Sequence, residues 1–143
     1  MGEENIEAYM ENAREHLETA KVVTSAGKYF DAVFHCIVCI ENATSALILH
    51  LGATPSKRHA NHLVLQRLLG LVEPKFKEGF EKVLEITAEL LPQISRTRYP
   101  FVSGERMFTP SNFYSKTHAE EAMEKASYTY TFANNFLERK LKG

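Results

Sequence analysis

Apolar residues recur along this chain at intervals of three and four almost from end to end, a period that predicts helix rather than strand. Ile6, Met10, Ala13, Leu17 and Ala20 form one such stripe, with Glu7, Glu11, Glu15 and Glu18 on the opposite side. Acids there suit the positive end of a helix dipole, and Gly27 suits the left-handed position that ends a helix. The second segment, 28–51, is apolar on nearly every side, from Phe30, Val33 and Phe34 to Leu47, Ile48 and Leu49. Such a helix belongs in the middle of a bundle, or in a bundle plus a subunit interface. Gly52 and Pro55 close it.

A third segment is expected to start near Ser56 and to carry Leu63, Leu65, Leu68, Leu69 and Leu71. Pro74 breaks it and opens a new helix, since proline is welcome in a first turn. Phe76, Phe80, Val83, Leu84 and Ile86 continue the stripe to Leu91, and Pro92 kinks or stops the chain by removing a backbone donor. Between Ile94 and Ser115 the helical period fails, around Pro100, Gly104 and Pro110, and a long ordered loop is expected. The last helix is expected at Thr117, with Glu120 at capping-box spacing. Ala119, Ala122, Ala126, Ala133, Leu137 and Leu141 give it an inner face of mostly small residues. The pattern predicts an all-α protein, an up-and-down bundle of four long helices and a fifth, shorter one, in a single domain over 1–143.

Composition narrows the class further. The 143 residues are 44% apolar and 24% charged, and 17 Lys+Arg nearly balance 18 Asp+Glu. A formal net charge of −1 excludes a globally basic nucleic-acid binder and leaves only local patches. Two cysteines make no disulfide framework. The acidic start, with Glu3, Glu4 and Glu7, is unlike a secretory leader. Gly2 invites comparison with a myristoylation signal, but Ile6 stands where Ser or Thr is usual. The strictly apolar run Cys36–Ile40 is far too short to cross a bilayer. A cytoplasmic protein with no membrane attachment is expected.

Four groups of residues could carry chemistry. Cys36 and Cys39 have redox-motif spacing but sit mid-helix among Ile and Val, which favours inert, buried thiols. His59 and His62 could share a helix face, yet a zinc site needs three or four ligands and no further ones are in step; they read instead as part of an electropositive helix start with Lys57 and Arg58. No metal and no cofactor is expected. Asp31, His35 and Asn42 fall on one stripe of the apolar second helix, with Glu41 beside it. Such groups are costly to bury unless paired. They form either a hydrogen-bonded layer that fixes bundle register or a groove in which Glu41 or Asn42 orients an arginine or a ligand. Finally, Ser95-Arg96-Thr97-Arg98-Tyr99-Pro100 puts two guanidinium groups and a ring where regular helix ends. Arginine suits phosphate because its planar fork donates paired hydrogen bonds, and Tyr99 could stack on a base.

Several stretches together resemble the HEPN domain family, named for higher eukaryotes, prokaryotes and proposed nucleotide binding. They are His16-Leu17 through Ala20, Gly27-Lys28-Tyr29-Phe30-Asp31-Ala32-Val33-Phe34, and Ile40-Glu41-Asn42-Ala43 running to Leu51-Gly52. Asn61-His62-Leu63, Arg98-Tyr99-Pro100, and Tyr114 with Ala119-Glu120-Glu121-Ala122 follow in the same order. The resemblance implies a helical bundle, often dimeric, in the cytoplasm of a prokaryote. It also implies one of three roles: a metal-independent ribonuclease, often a toxin; a non-catalytic partner of a minimal nucleotidyltransferase; or a nucleotide-binding module. The ribonucleases place four to six residues between an Arg and a following His, the Arg holding the phosphate while the His moves a proton.

That motif is absent. The matching positions hold Ser103, Gly104 and Glu105 behind Arg98, Phe101, Val102 and Ser103 behind Arg96, and Ser111, Asn112 and Phe113 behind Arg106. Arg58 and His62 are one residue too close. The expectation is therefore a non-catalytic module in a toxin–antitoxin-like setting. It would bind a nucleotide or RNA through Arg96, Arg98 and Tyr99, with Glu41, Arg58 and His62 in a neighbouring groove. A homodimer is expected, and a nucleotidyltransferase chain is the partner the resemblance implies. The alternatives are a ribonuclease with Arg58 and His62 as a displaced pair on one helix face, and a purely structural oligomerisation module.

Overall fold

The structure, a computed structural model, describes residues 2–142, with side chains through residue 138. Met1 and the Leu141 side chain, each part of a sequence expectation, lie outside the described residues. Four long helices make the body: α1 (Gly2–Ser25), α2 (Tyr29–His50), α4 (Pro74–Leu90) and α6 (Lys116–Lys142), with a short α3 (Asn61–Leu68) between the second and third of them. The turns between them follow from the sequence. Gly27 and Gly52 hold φ +76° and +86°. Each lets its own amide and the next one reach back: Gly27 N–H to Thr24 O and Lys28 N–H to Val23 O, and likewise Gly52 to Leu49 and Ala53 to Ile48. This paired bonding satisfies the last carbonyls of a helix.

α2 is the central rod. Thirteen of its residues are buried, from Ala32 to Ile48, against the stripe of α1 and the alanine face of α6. By length and hydropathy it passes as a membrane span, but 72% of that stretch is buried inside the bundle. α4 meets α6 through an aromatic cluster in which Phe76, Phe80 and Phe132 surround Phe136, the first two edge-on at 4.8 and 5.0 Å between centroids. Offset and edge-to-face contacts of this kind suit the ring quadrupole.

The stretch expected as a long loop is mostly regular structure. α4 tightens into a 3-10 helix over Leu91–Thr97, where Pro92 interrupts α-helical bonding. A hairpin follows, β1 (Phe101–Ser103) with β2 (Arg106–Phe108), then the single turn α5 (Pro110–Phe113). Its register sets Phe101 opposite Phe108 on one face and Val102 opposite Met107 on the other. The phenylalanine face packs on Phe113, at 5.0 and 5.4 Å, while Val102 and Met107 stay exposed. α6 begins at Lys116 rather than Thr117, and the cap is Ser115, whose Oγ accepts the His118 N–H, not the Thr117/Glu120 box.

Candidate functional site

α2 buries nearly all its surface but leaves Asp31, Phe34, His35, Val38 and Glu41 half-exposed. These positions recur at intervals of three and four, so they share one face. α1 covers one flank of that face. There His16 Nδ1 lies 2.8 Å from His35 Nδ1, and Asn12 Nδ2 donates to Asn42 Oδ1 at 3.1 Å. His35 Nε2 points to Asp31 Oδ2 at 3.6 Å. The two imidazoles stack with centroids 5.1 Å apart. One ring must donate and the other accept, so this geometry holds at most one cation. Burial, and then the charge of His35, hold His16 below the ordinary histidine value, against a smaller opposing effect of Glu15. The structure shows the polar stripe hydrogen-bonded to α1 through Asn42 and His35.

The other flank carries the arginines. Arg98, just past the 3-10 helix, lays its guanidinium 4.2 Å from the centre of the Phe34 ring. Arg96 does the same over Phe101 at 5.2 Å. Both are exposed, as is Tyr99 at 68%. Among the described residues no carboxylate lies within ion-pair distance of either arginine. Cation–π stacking at exposed sites contributes about 0.5–1 kcal/mol, enough to favour one orientation while leaving the N–H fork toward solvent. Among the described residues neither arginine lines any of the five main clefts. The cleft of about 550 Å³ between α4 and α6 is walled by Glu78, Glu81, Glu85, Glu121 and Glu124, which repel phosphate. Arg96 stands near enough to Tyr114 to favour its phenolate, but burial dominates and pushes that hydroxyl up to about 12.

Two turns further along α2, Glu41 Oε2 lies 2.7 Å from His59 Nδ1. His59 is a non-glycine residue at φ +57°, a conformation costing about 1–2 kcal/mol, which the bond to Glu41 helps offset. A polar cleft of about 310 Å³ opens beside Glu41, Asn42 and Ser45. Asn61, fully buried, ties together residues of the cleft wall. Its amide nitrogen donates to Glu41 O, Thr44 Oγ1 and Ser45 Oγ at 2.9–3.0 Å, and its oxygen accepts the Ser56 N–H.

The Arg58–His62 pair is not formed on one helix face. α3 begins only at Asn61, because Ser56 Oγ takes the Arg58 and Ala60 amides and Asn61 takes that of Ser56. Such local side-chain bonds compete with helix formation. Arg58 is an exposed bend residue, and His62 is half-buried with Nδ1 enclosed and unpartnered. The shared His59 and His62 face fails for the same reason. Cys36 and Cys39 are fully buried, and burial raises both thiols, Cys39 to about 12, so neither ionises near neutrality. Within a single chain, then, the structure unites Arg98 with Phe34 and Glu41 with His59, and leaves those two groups apart.

A family model, the HEPN domain, matches residues 6–136, nearly the whole chain. The chain belongs to the HEPN family. Among HEPN relatives, it is 27% identical over 139 residues to MJ1304 of Methanocaldococcus jannaschii, a protein named as a candidate toxin, with 92% of this chain and 88% of that one covered. Two crystal structures share the fold. ST0689, an archaeal HEPN homologue, aligns at TM-score 0.64 and 24% identity over 91% of this chain and 95% of its own. TT1696 from Thermus thermophilus aligns at TM-score 0.62 and 22% identity over 91% and 96%. Sequence reasoning singled out Arg96 and Arg98 in this HEPN domain, and His59 among the charged residues before α3, but did not pair Phe34 with Arg98, His16 with His35 or His59 with Glu41. The signal was present for Phe34, which lies seven residues before Glu41 and so shares its face.

Proposed function

We propose that this HEPN chain is a non-catalytic binding module that pairs with a second copy of itself and holds RNA, or the phosphates of a nucleotide, on Arg96 and Arg98. One observation carries the reading. Arg98 is braced on Phe34 at 4.2 Å, exposed, with no carboxylate in ion-pair distance among the described residues. A guanidinium held by a ring with its fork unspent suits bidentate contact with phosphate oxygens. Tyr99 beside it offers a face for base stacking. Arg96 and Arg98 are both exposed, which favours an extended strand over an enclosed mononucleotide. No His follows either arginine at the ribonuclease spacing, so the bound strand stays intact. The candidate-toxin name of the M. jannaschii relative supports a place in a two-component pair, in which a minimal nucleotidyltransferase would be the opposite chain.

Fluorescence anisotropy with short single-stranded RNAs and with free nucleotides tests the assignment. Arg98→Ala is expected to weaken RNA binding by about tenfold or more, one charge-assisted contact being worth roughly 1.5–3 kcal/mol. Parent-like binding by Arg98→Ala would remove the site. The RNA is expected to be recovered uncut, with or without a chelator.

A further inference from the structure

Three clefts run into one another along the seam between α4 and α6. The cleft of about 550 Å³ shares Glu124 and Tyr128 with one of about 490 Å³, which shares Phe132 and Asn135 with a third of about 230 Å³. Together they form a trough from Lys75 to Glu89, about 21 Å along α4 at the usual helical rise. Its floor is apolar. Tyr128, Phe132 and Phe136 follow at intervals of four on α6, their rings nearly parallel and their centroids 6.4 and 6.2 Å apart, and Ile86 joins them from α4. Its lips are acidic. Glu78, Glu81, Glu85 and Glu89 stand three and four residues apart on one face of α4, with Glu121 and Glu124 on α6. The two lysines among them neutralise little of that charge. Lys125 bonds both oxygens of Glu89, at 2.8 and 2.9 Å, and Lys82 lies over the Tyr128 ring at 4.4 Å. Among the described residues Glu78, Glu81, Glu85, Glu121 and Glu124 have no cation in ion-pair distance. Like charges one turn apart oppose each other on a helix, so these rows weaken the fold unless a cation covers them.

We propose that this trough docks a basic amphipathic helix of a different protein. Apolar residues of that helix lie on the Tyr128–Phe132–Phe136 floor, and its lysines and arginines meet the two rows of glutamates. Length, charge and composition each choose this occupant. About 14 residues of helix span the trough, and apolar anchors one turn apart meet rings one turn apart. Unpaired carboxylates on both lips ask for cations on both flanks of the occupant, and matched potentials of this kind set partner choice. A small polycation would use the acidic end alone and leave Phe132, Asn135 and Phe136 uncovered at the other. A two-fold contact between copies of this chain through the trough would set glutamates against glutamates, so the partner is another protein. None of the lining residues belongs to the arginine group of the 3-10 helix. The trough and the arginines therefore take ligands of opposite charge.

Fluorescence anisotropy on the full chain tests the docking with a labelled synthetic peptide of about 14 residues, leucines at intervals of three and four and lysines on both flanks. A second peptide has the same composition with its leucines scattered. The first is expected to bind saturably, one to one, and to gain helix on binding; the second is expected to bind about tenfold more weakly or worse. Glu81→Gln/Glu85→Gln, at two exposed positions, should weaken binding by about tenfold. Tyr128→Ala should do about as much by removing an aromatic anchor, and circular dichroism confirms that it keeps the parent helicity. Glu7→Gln/Glu11→Gln removes the same charge from exposed positions on α1 and is expected to bind like the parent. Equal affinity for the two peptides, or an equal loss in Glu7→Gln/Glu11→Gln, would reduce the trough to diffuse acidity and overturn the proposal. So would the absence of saturable binding, or parent-like affinity in either trough variant.

Discussion

His16 and His35 face each other nitrogen to nitrogen at 2.8 Å on a half-buried surface between α1 and α2. His16 titrates below the ordinary 6.5 because burial and the neighbouring ring oppose its charge. The unfolded chain therefore binds more protons than the native one between the ordinary value and the lower native one, and stability rises with pH across that window. The contribution is fully present above about 6.5 and is lost as pH falls through the native value. Urea midpoints are expected to drop between pH 7.5 and pH 5 more steeply for the parent than for His16→Gln, which carries no titrating group. Equal slopes would show that the imidazole pair contributes nothing to acid sensitivity. Asp31 Oδ2 lies 3.6 Å from the other nitrogen of the His35 ring.

At the scale of elements, close packing sets the strictest limits. A Cβ built on Gly79 of α4 would clash with the Phe132 ring of α6. Alanine would gain about 1 kcal/mol of helix propensity there, yet the ring is packed against Phe80 and Phe136 and cannot simply turn away. Overpacking of this kind costs roughly 1–3 kcal/mol. Gly79→Ala is therefore expected to lower the denaturation midpoint, and adding Phe132→Leu to recover part of the loss; a parent-like midpoint for the single variant would mean that the helices separate freely. The same packing explains which elements could be read from sequence. α1 and α4 bury one continuous stripe each, announced by periods of three and four, and α2 is announced by being apolar on nearly every side. The start of α3 could not be read so, because Ser56 and Asn61 capture amides locally and delay the helix. Nor could the hairpin, whose three-residue strands are too short to show alternation and are held by Phe101 and Phe108 packing on Phe113. Of the candidate site, the charged groups were legible from their own chemistry. Their supports, Phe34 for Arg98 and His59 for Glu41, arise from contacts between distant segments that no local pattern encodes.

Charge across the whole molecule is nearly balanced, at −1, so no long-range field gathers nucleic acid. Affinity must come from local contacts, with acids concentrated along the α4–α6 cleft and Arg96, Arg98 and Arg106 on the 3-10 helix, just past its end and on the hairpin. For single-stranded RNA, each phosphate neutralised contributes about −0.7 to the slope of log K against log salt. A self-paired module using Arg96 and Arg98 from both copies neutralises about four phosphates, for a slope of about −3. Arg98→Ala is expected to reduce this to about −1.4, since two contacts remain. Tyr99→Ala should behave differently: stacking releases no counterions, so its affinity falls while the slope stays at the parent value. Titrations of the three proteins across a salt series separate these terms. An unchanged slope in Arg98→Ala would show that its guanidinium faces solvent rather than phosphate, whatever the affinity does, and an altered slope in Tyr99→Ala would mean that the ring positions the arginines instead of stacking on a base.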